Sequence, residues 1–129
     1  MNSAWILDDF SNALRQLEDA LSVPASSNLI RAGCIQYFEF CFELAWKSIK
    51  IVSGEMSLPE CLSPKACLKQ AFSQGWVGDE DVWLAMLAAR NRMSHTYDAN
   101  EALNIYGALA GFLLALKSLQ ESLRRATED

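Results

Sequence analysis

Within the stretch AARNRMSHTYD, Ala88 to Asp98, the chain places two arginines, an asparagine, its only histidine and a tyrosine. Each type has a use at a phosphodiester. Arg90 offers a planar fork that matches phosphate oxygens, and Asn91 a neutral donor and acceptor. His95 is a base whose ordinary pKa lies near neutrality, and Tyr97 adds a stacking ring and a hydroxyl. Together they are the parts needed to cleave RNA without a metal or other cofactor. His95 takes the proton from a ribose 2′-hydroxyl while Arg90 steadies the charge growing on phosphorus.

Blander readings use the same residues. A lone histidine near a helix end is more often a cap or a satisfied polar group than a catalyst. On a helical wheel Arg90 falls among Trp83, Met86, Leu87, Met93 and Tyr97, where an unpaired cation is costly. Either a carboxylate, Glu39 or Glu43, neutralises it as a structural pair, or it awaits an anionic ligand. Arg90 and His95 are also about 140° apart around a regular helix, so one helix aims them poorly at one atom. Two such helices facing each other across the cleft of a homodimer repair this.

The elements that must hold these residues are helices; no period-two strand pattern is evident. An apolar stripe from Ile6 through Phe10, Ala13, Leu14, Leu17 and Leu21 predicts a first helix over Ala4–Ser22. Ser26–Asn28 supplies N-caps for a long second helix stopping near Gly54. Ser63-Pro64 opens a short helix ending near Gly75, and Asp79 caps the helix that carries Arg90. Asp98–Glu101 resembles a capping box for a last helix reaching about Arg125. In the second helix, Gln36, Glu39, Glu43, Lys47 and Lys50 form one narrow polar stripe in an otherwise apolar circumference. Such a helix is expected to be buried on most sides, at the centre of a bundle and partly in a subunit interface. The expected fold is all-α, an antiparallel up-and-down bundle of four long helices plus one short one, with residues 1–129 as one domain.

At 129 residues, 51% of them apolar and 21% charged, the composition is globular. The net charge of −5 argues against broad duplex binding, so any nucleic-acid site must rest on a few cations concentrated by the fold. The longest apolar run, Ala108–Leu116, is about half a membrane span, and the first residues carry no secretory pattern. No membrane association and a cytoplasmic location are expected. Cys34, Cys41, Cys61 and Cys67 include no CxxC pair, so no metal site is expected, and all four read as small apolar fillers in a reducing compartment.

The segment RNRMSHTY, Arg90–Tyr97, fits an R-x4-H-x-Y pattern and resembles the HepT-like branch of the HEPN superfamily, also described as nucleotidyltransferase substrate-binding proteins. IQYFEFCFELAWKSIK (Ile35–Lys50), SPKACLKQAF (Ser63–Phe72) and VWLAMLAARNRMSHTYD (Val82–Asp98) are similar to that family in the same order. The resemblance implies a dimerising helical bundle whose paired motifs meet at a cleft, and a cognate minimal nucleotidyltransferase as partner. In toxin–antitoxin members the HEPN protein is a metal-independent endoribonuclease, neutralised by the nucleotidyltransferase, in some cases by transfer of AMP to the motif tyrosine. Carried over by position, Arg90 and His95 are catalytic, Asn91 supports them and Tyr97 is the AMP acceptor.

Three readings follow: a ribonuclease toxin acting on RNA in the dimer cleft, a noncatalytic subunit that binds substrate for a nucleotidyltransferase, and a purely structural dimer in which Arg90 pairs with Glu39 or Glu43.

Overall fold

Short polar residues start the helices. The Ser27 hydroxyl accepts from the Ile30 amide at 3.3 Å and opens α2, Asn28–Glu55. The Ser63 hydroxyl accepts from the Ala66 amide at 3.1 Å, and Pro64 stands in the first turn of α3, Pro64–Ser73. Each satisfies an amide that the first helical turn leaves without a partner. The Asp79 carboxylate does the same for Val82 at 3.3 Å ahead of α4, Glu80–Met93. Gly75, at φ +73°, takes the left-handed conformation that turns the chain out of α3. With α1, Ala4–Leu21, and α5, Ala99–Ala126, these make an all-α fold in a computed structural model that describes residues 2–93 and 99–128. The expected Asp98–Glu101 capping box is only half inside the described residues. Asp98 lies outside them, and Glu101 instead accepts from Arg92 at 3.2 Å.

Helices α1 and α5 run antiparallel. Arg124 meets Asp8 at 2.8 Å, Gln120 donates to the Ser11 hydroxyl at 2.6 Å, and Lys117 pairs with Glu18. Between them lies the apolar stripe of α1, with Phe10 and Leu17 fully buried. The core face of α2 (Phe38, Cys41, Phe42, Ala45, Ile49 and Val52) packs on α1 and α5, and Phe38 stacks at 5.2 Å from Phe112 of α5. By length and composition α5 is apolar enough to cross a membrane. Its Ile105, Leu109, Phe112, Leu116, Leu119 and Leu123 are buried in the bundle, while Leu103 and Leu114 are exposed on other sides.

The expectation that α2 is buried on most sides holds only in part within one chain. Tyr37 and Phe40 are exposed on its flank at 36% and 48%, touching edge to face with centroids 6.3 Å apart.

The reading of all four cysteines as unlinked fillers requires a correction. Cys34 and Cys41 are free and buried, but Cys61 and Cys67 are joined in a disulfide. The Ser63-Pro64 turn folds the chain back between them and brings their α-carbons to 5.1 Å, within bridging range. Burial pushes the Cys34 thiol up and the Cys41 thiol up to about 12, so both stay protonated at neutral pH. At pH 8 a thiol reagent will therefore titrate little in the native protein, two thiols in denaturant and four after denaturation with reductant. Four thiols in denaturant alone would contradict the bridge.

Candidate functional site

Helix α4 is anchored by Trp83, Met86 and Ala89, which are buried against the bundle. That anchoring carries Arg90 to the margin where α4 passes α2, with 34% of its side chain exposed. There it meets Glu43, 30% exposed, one of the residues of the polar stripe on α2. Glu43 Oε1 accepts from Arg90 Nε at 3.0 Å and lies 2.9 Å from Nη2, so one oxygen takes the whole side edge of the guanidinium. The other oxygen, Oε2, accepts from the Trp46 indole N–H at 2.8 Å. On the far side Arg90 Nη1 donates to Asn91 Oδ1 at 3.3 Å.

These contacts use three of the five N–H groups of the guanidinium. The two that remain, one on Nη1 and one on Nη2, have no partner among the described residues. The two alternatives posed by the sequence are therefore compatible. Arg90 is paired with a carboxylate and keeps two N–H groups that no described residue takes.

Arg90, Asn91 and Glu43 are thus brought together. Glu39, the other carboxylate considered for Arg90, instead lines a cavity of about 400 Å³ with Gln36, Arg31, Met93 and Ala99. Arg31 there is engaged by Asn28 Oδ1 at 2.9 Å and by the Ala25 carbonyl at 3.1 Å. His95 and Tyr97 lie outside the described residues, between Met93 at the end of α4 and Ala99 at the start of α5. Sequence reasoning counted Trp46 among the apolar residues of α2 and missed its part in the site. Its spacing of three from Glu43 carried the information, since residues three apart share a helical face.

The fold and this cluster define a helical-bundle protein that holds one half-buried arginine by its side edge. Residues 6–125 match the family described as nucleotidyltransferase substrate binding protein like, and the chain belongs to that HEPN-like family. It is 34% identical to a probable ribonuclease HepT from Haemophilus influenzae over 101 residues, 75% of this chain and 69% of that protein. A crystal structure of a protein from Thermus thermophilus superposes with a TM-score of 0.83 at 29% identity, covering 90% of this chain and 99% of the other. HI0074 from Haemophilus influenzae, described as revealing the fold of a substrate binding domain of a nucleotidyltransferase, superposes at 0.79 and 29% identity, covering 92% and 98%.

Because both partners of the Arg90–Glu43 pair are about one-third exposed, solvent screens much of its Coulomb energy. A double-mutant cycle of Glu43→Ala and Arg90→Ala, read by urea unfolding, is expected to give a coupling of about 1 kcal/mol. Coupling near zero would make the pair incidental to the fold.

Proposed function

We propose that this protein is a metal-independent endoribonuclease of the HepT type, acting as a homodimer and held in check by a cognate minimal nucleotidyltransferase. The observation that carries this reading is the orientation of Arg90. Glu43 and Asn91 fix the guanidinium at its side, and its terminal edge is left for a phosphate. Similarity to a probable ribonuclease supports it further.

In this reading Arg90 grips the non-bridging oxygens of the scissile phosphate, and Asn91 restrains Arg90. His95 removes the proton of the neighbouring 2′-hydroxyl. The 2′-oxygen bonds to phosphorus as the bond to the 5′-oxygen breaks. The proton returns to the leaving oxygen, and the products are a 2′,3′-cyclic phosphate and a 5′-hydroxyl. Fixed hydrogen-bonding groups act here where charge develops. A second copy of the chain brings a second motif to the cleft, which relieves the poor aim of Arg90 and His95 on one helix. Exposed apolar side chains such as Phe40 of α2 and Leu114 of α5, 48% and 70% exposed, are surfaces such a contact would cover. Tyr97 is the residue at which AMP transfer by the nucleotidyltransferase would switch the enzyme off.

The family description and the description of HI0074 favour a second reading, a noncatalytic subunit that binds substrate for a nucleotidyltransferase. The deciding experiment is cleavage of RNA and of the matching DNA by purified protein in excess EDTA, with Tyr97 shown by intact mass to be unmodified. RNA alone should be cut, and Arg90→Ala or His95→Ala should each lower the rate about a hundred-fold or more. Unmodified dimer that cuts none of several RNAs would select the binding subunit instead.

A further inference from the structure

The polar stripe of α2 does not end at Glu43. One turn on, Lys47 extends over the ring of Trp46, its Nζ 5.9 Å from the ring centroid, and Lys50 follows on the same side. These residues border a cavity of about 580 Å³ closed on the other side by Trp5 of α1, Leu58 and Glu60. Trp5 is 58% exposed, although a bundle with this much apolar surface to bury has every reason to cover an indole. Trp46 belongs to both places. It forms part of the cavity wall, and its N–H holds Glu43 against Arg90.

The charges are arranged to suit an anion here. Glu43 and Arg90 cancel each other, and the charged residues that line the cavity are Lys47, Lys50 and one carboxylate, Glu60. The apolar remainder of the cavity suits a flat ring.

We propose that this cavity is a subsite for single-stranded RNA flanking the phosphate held by Arg90. One base stacks on the Trp5 indole, and the adjoining backbone phosphates lie on Lys47 and Lys50. Lys47 stands four residues, about 6 Å along the helix axis, from Glu43, the partner of Arg90, so a strand that follows the stripe passes Arg90 next to Lys47. Aromatic stacking beside a short run of cations is how sequence-tolerant single-strand sites are built. The subsite rests on the ribonuclease reading for its purpose, but its occupancy is measured separately from cleavage.

The test titrates a fluorescent 2′-O-methyl oligoribonucleotide, which cannot be cleaved by 2′-hydroxyl attack, into the full chain and its variants. Trp5→Ala should weaken binding roughly ten-fold or more, with Trp5→Phe restoring most of it. Combined Lys47→Ala and Lys50→Ala should flatten the log–log salt dependence by about 1.4, two phosphate contacts at about 0.7 each. If the protein proves a nuclease, KM for RNA should rise in Trp5→Ala along with the dissociation constant. Binding without cleavage would remove the nuclease reading and leave the subsite standing. Cleavage with wild-type KM and wild-type oligonucleotide binding in Trp5→Ala would remove the subsite and leave the nuclease. AMP alone competing as well as the oligomer would overturn the strand in favour of a mononucleotide pocket. Loss of self-association in Trp5→Ala by sedimentation would overturn it in favour of a subunit contact.

Discussion

A guanidinium at the margin of a helical bundle has to be paired, and Glu43 of α2 meets that requirement for Arg90 where the anchored α4 passes. Arg90 sits two-thirds covered, where an unpartnered charge costs several times what a surface ion pair returns. Glu43 answers it from another helix, so the level at which α4 passes α2 is tied to one contact between residues far apart in sequence. The contact is also oriented. By taking Nε and Nη2 on one oxygen, Glu43 fixes the plane and direction of the guanidinium, and Trp46 restrains the carboxylate through its other oxygen. Positioning of this kind is worth more to a catalyst than added charge, because the entropy of holding the group has been lost before substrate arrives.

The same helix builds the core and the site, and helical geometry keeps the two apart. Phe38, Cys41, Phe42, Ala45, Ile49 and Val52 recur at intervals of three and four and face α1 and α5. Glu39, Glu43, Lys47 and Lys50 recur at the same intervals on another side. Functional side chains carried on a buried helix inherit its rigidity, which loop residues lack. The small side chains of Ala45 and Ser48, fully buried, let neighbouring elements approach α2 closely.

Helix starts were readable from the sequence because caps are local chemistry. Ser27, Ser63 and Asp79 each bond an amide three residues on, as their types and positions suggest. The burial of α1 followed from its period alone. What the sequence left open depended on distance in the fold. A wheel places Arg90 on the inward face of α4, but only the packing of α4 on α2 selects Glu43 over Glu39, one turn away. The link between Cys61 and Cys67 escaped for a related reason. Their spacing fits no metal motif, and the turn that joins them is a matter of backbone path rather than composition. Trp46 was hidden by its own chemistry, since an indole is counted as apolar until its N–H is given an acceptor. His95 and Tyr97, which carry much of the resemblance, are legible only as sequence.

On the proposed reading, an acidic protein acting on RNA has to resolve a conflict between its overall field and its local one. With a net charge of −5, the field repels a polyanion at long range, and more strongly at low ionic strength. Pairing Arg90 with Glu43 neutralises the long-range attraction of the group best shaped for phosphate and leaves it short-range hydrogen bonds to offer. The arrangement makes sense if Arg90 serves to shape and stabilise a phosphate already bound, while the attraction that brings the strand in is supplied by other cations. Lys47 and Lys50 occupy that position, one and two turns along the same stripe, beside an aromatic wall. On the proposed ribonuclease reading, separating capture from chemistry in this way would let Arg90 stay neutralised, and so half-buried at little cost, until a substrate phosphate reaches it.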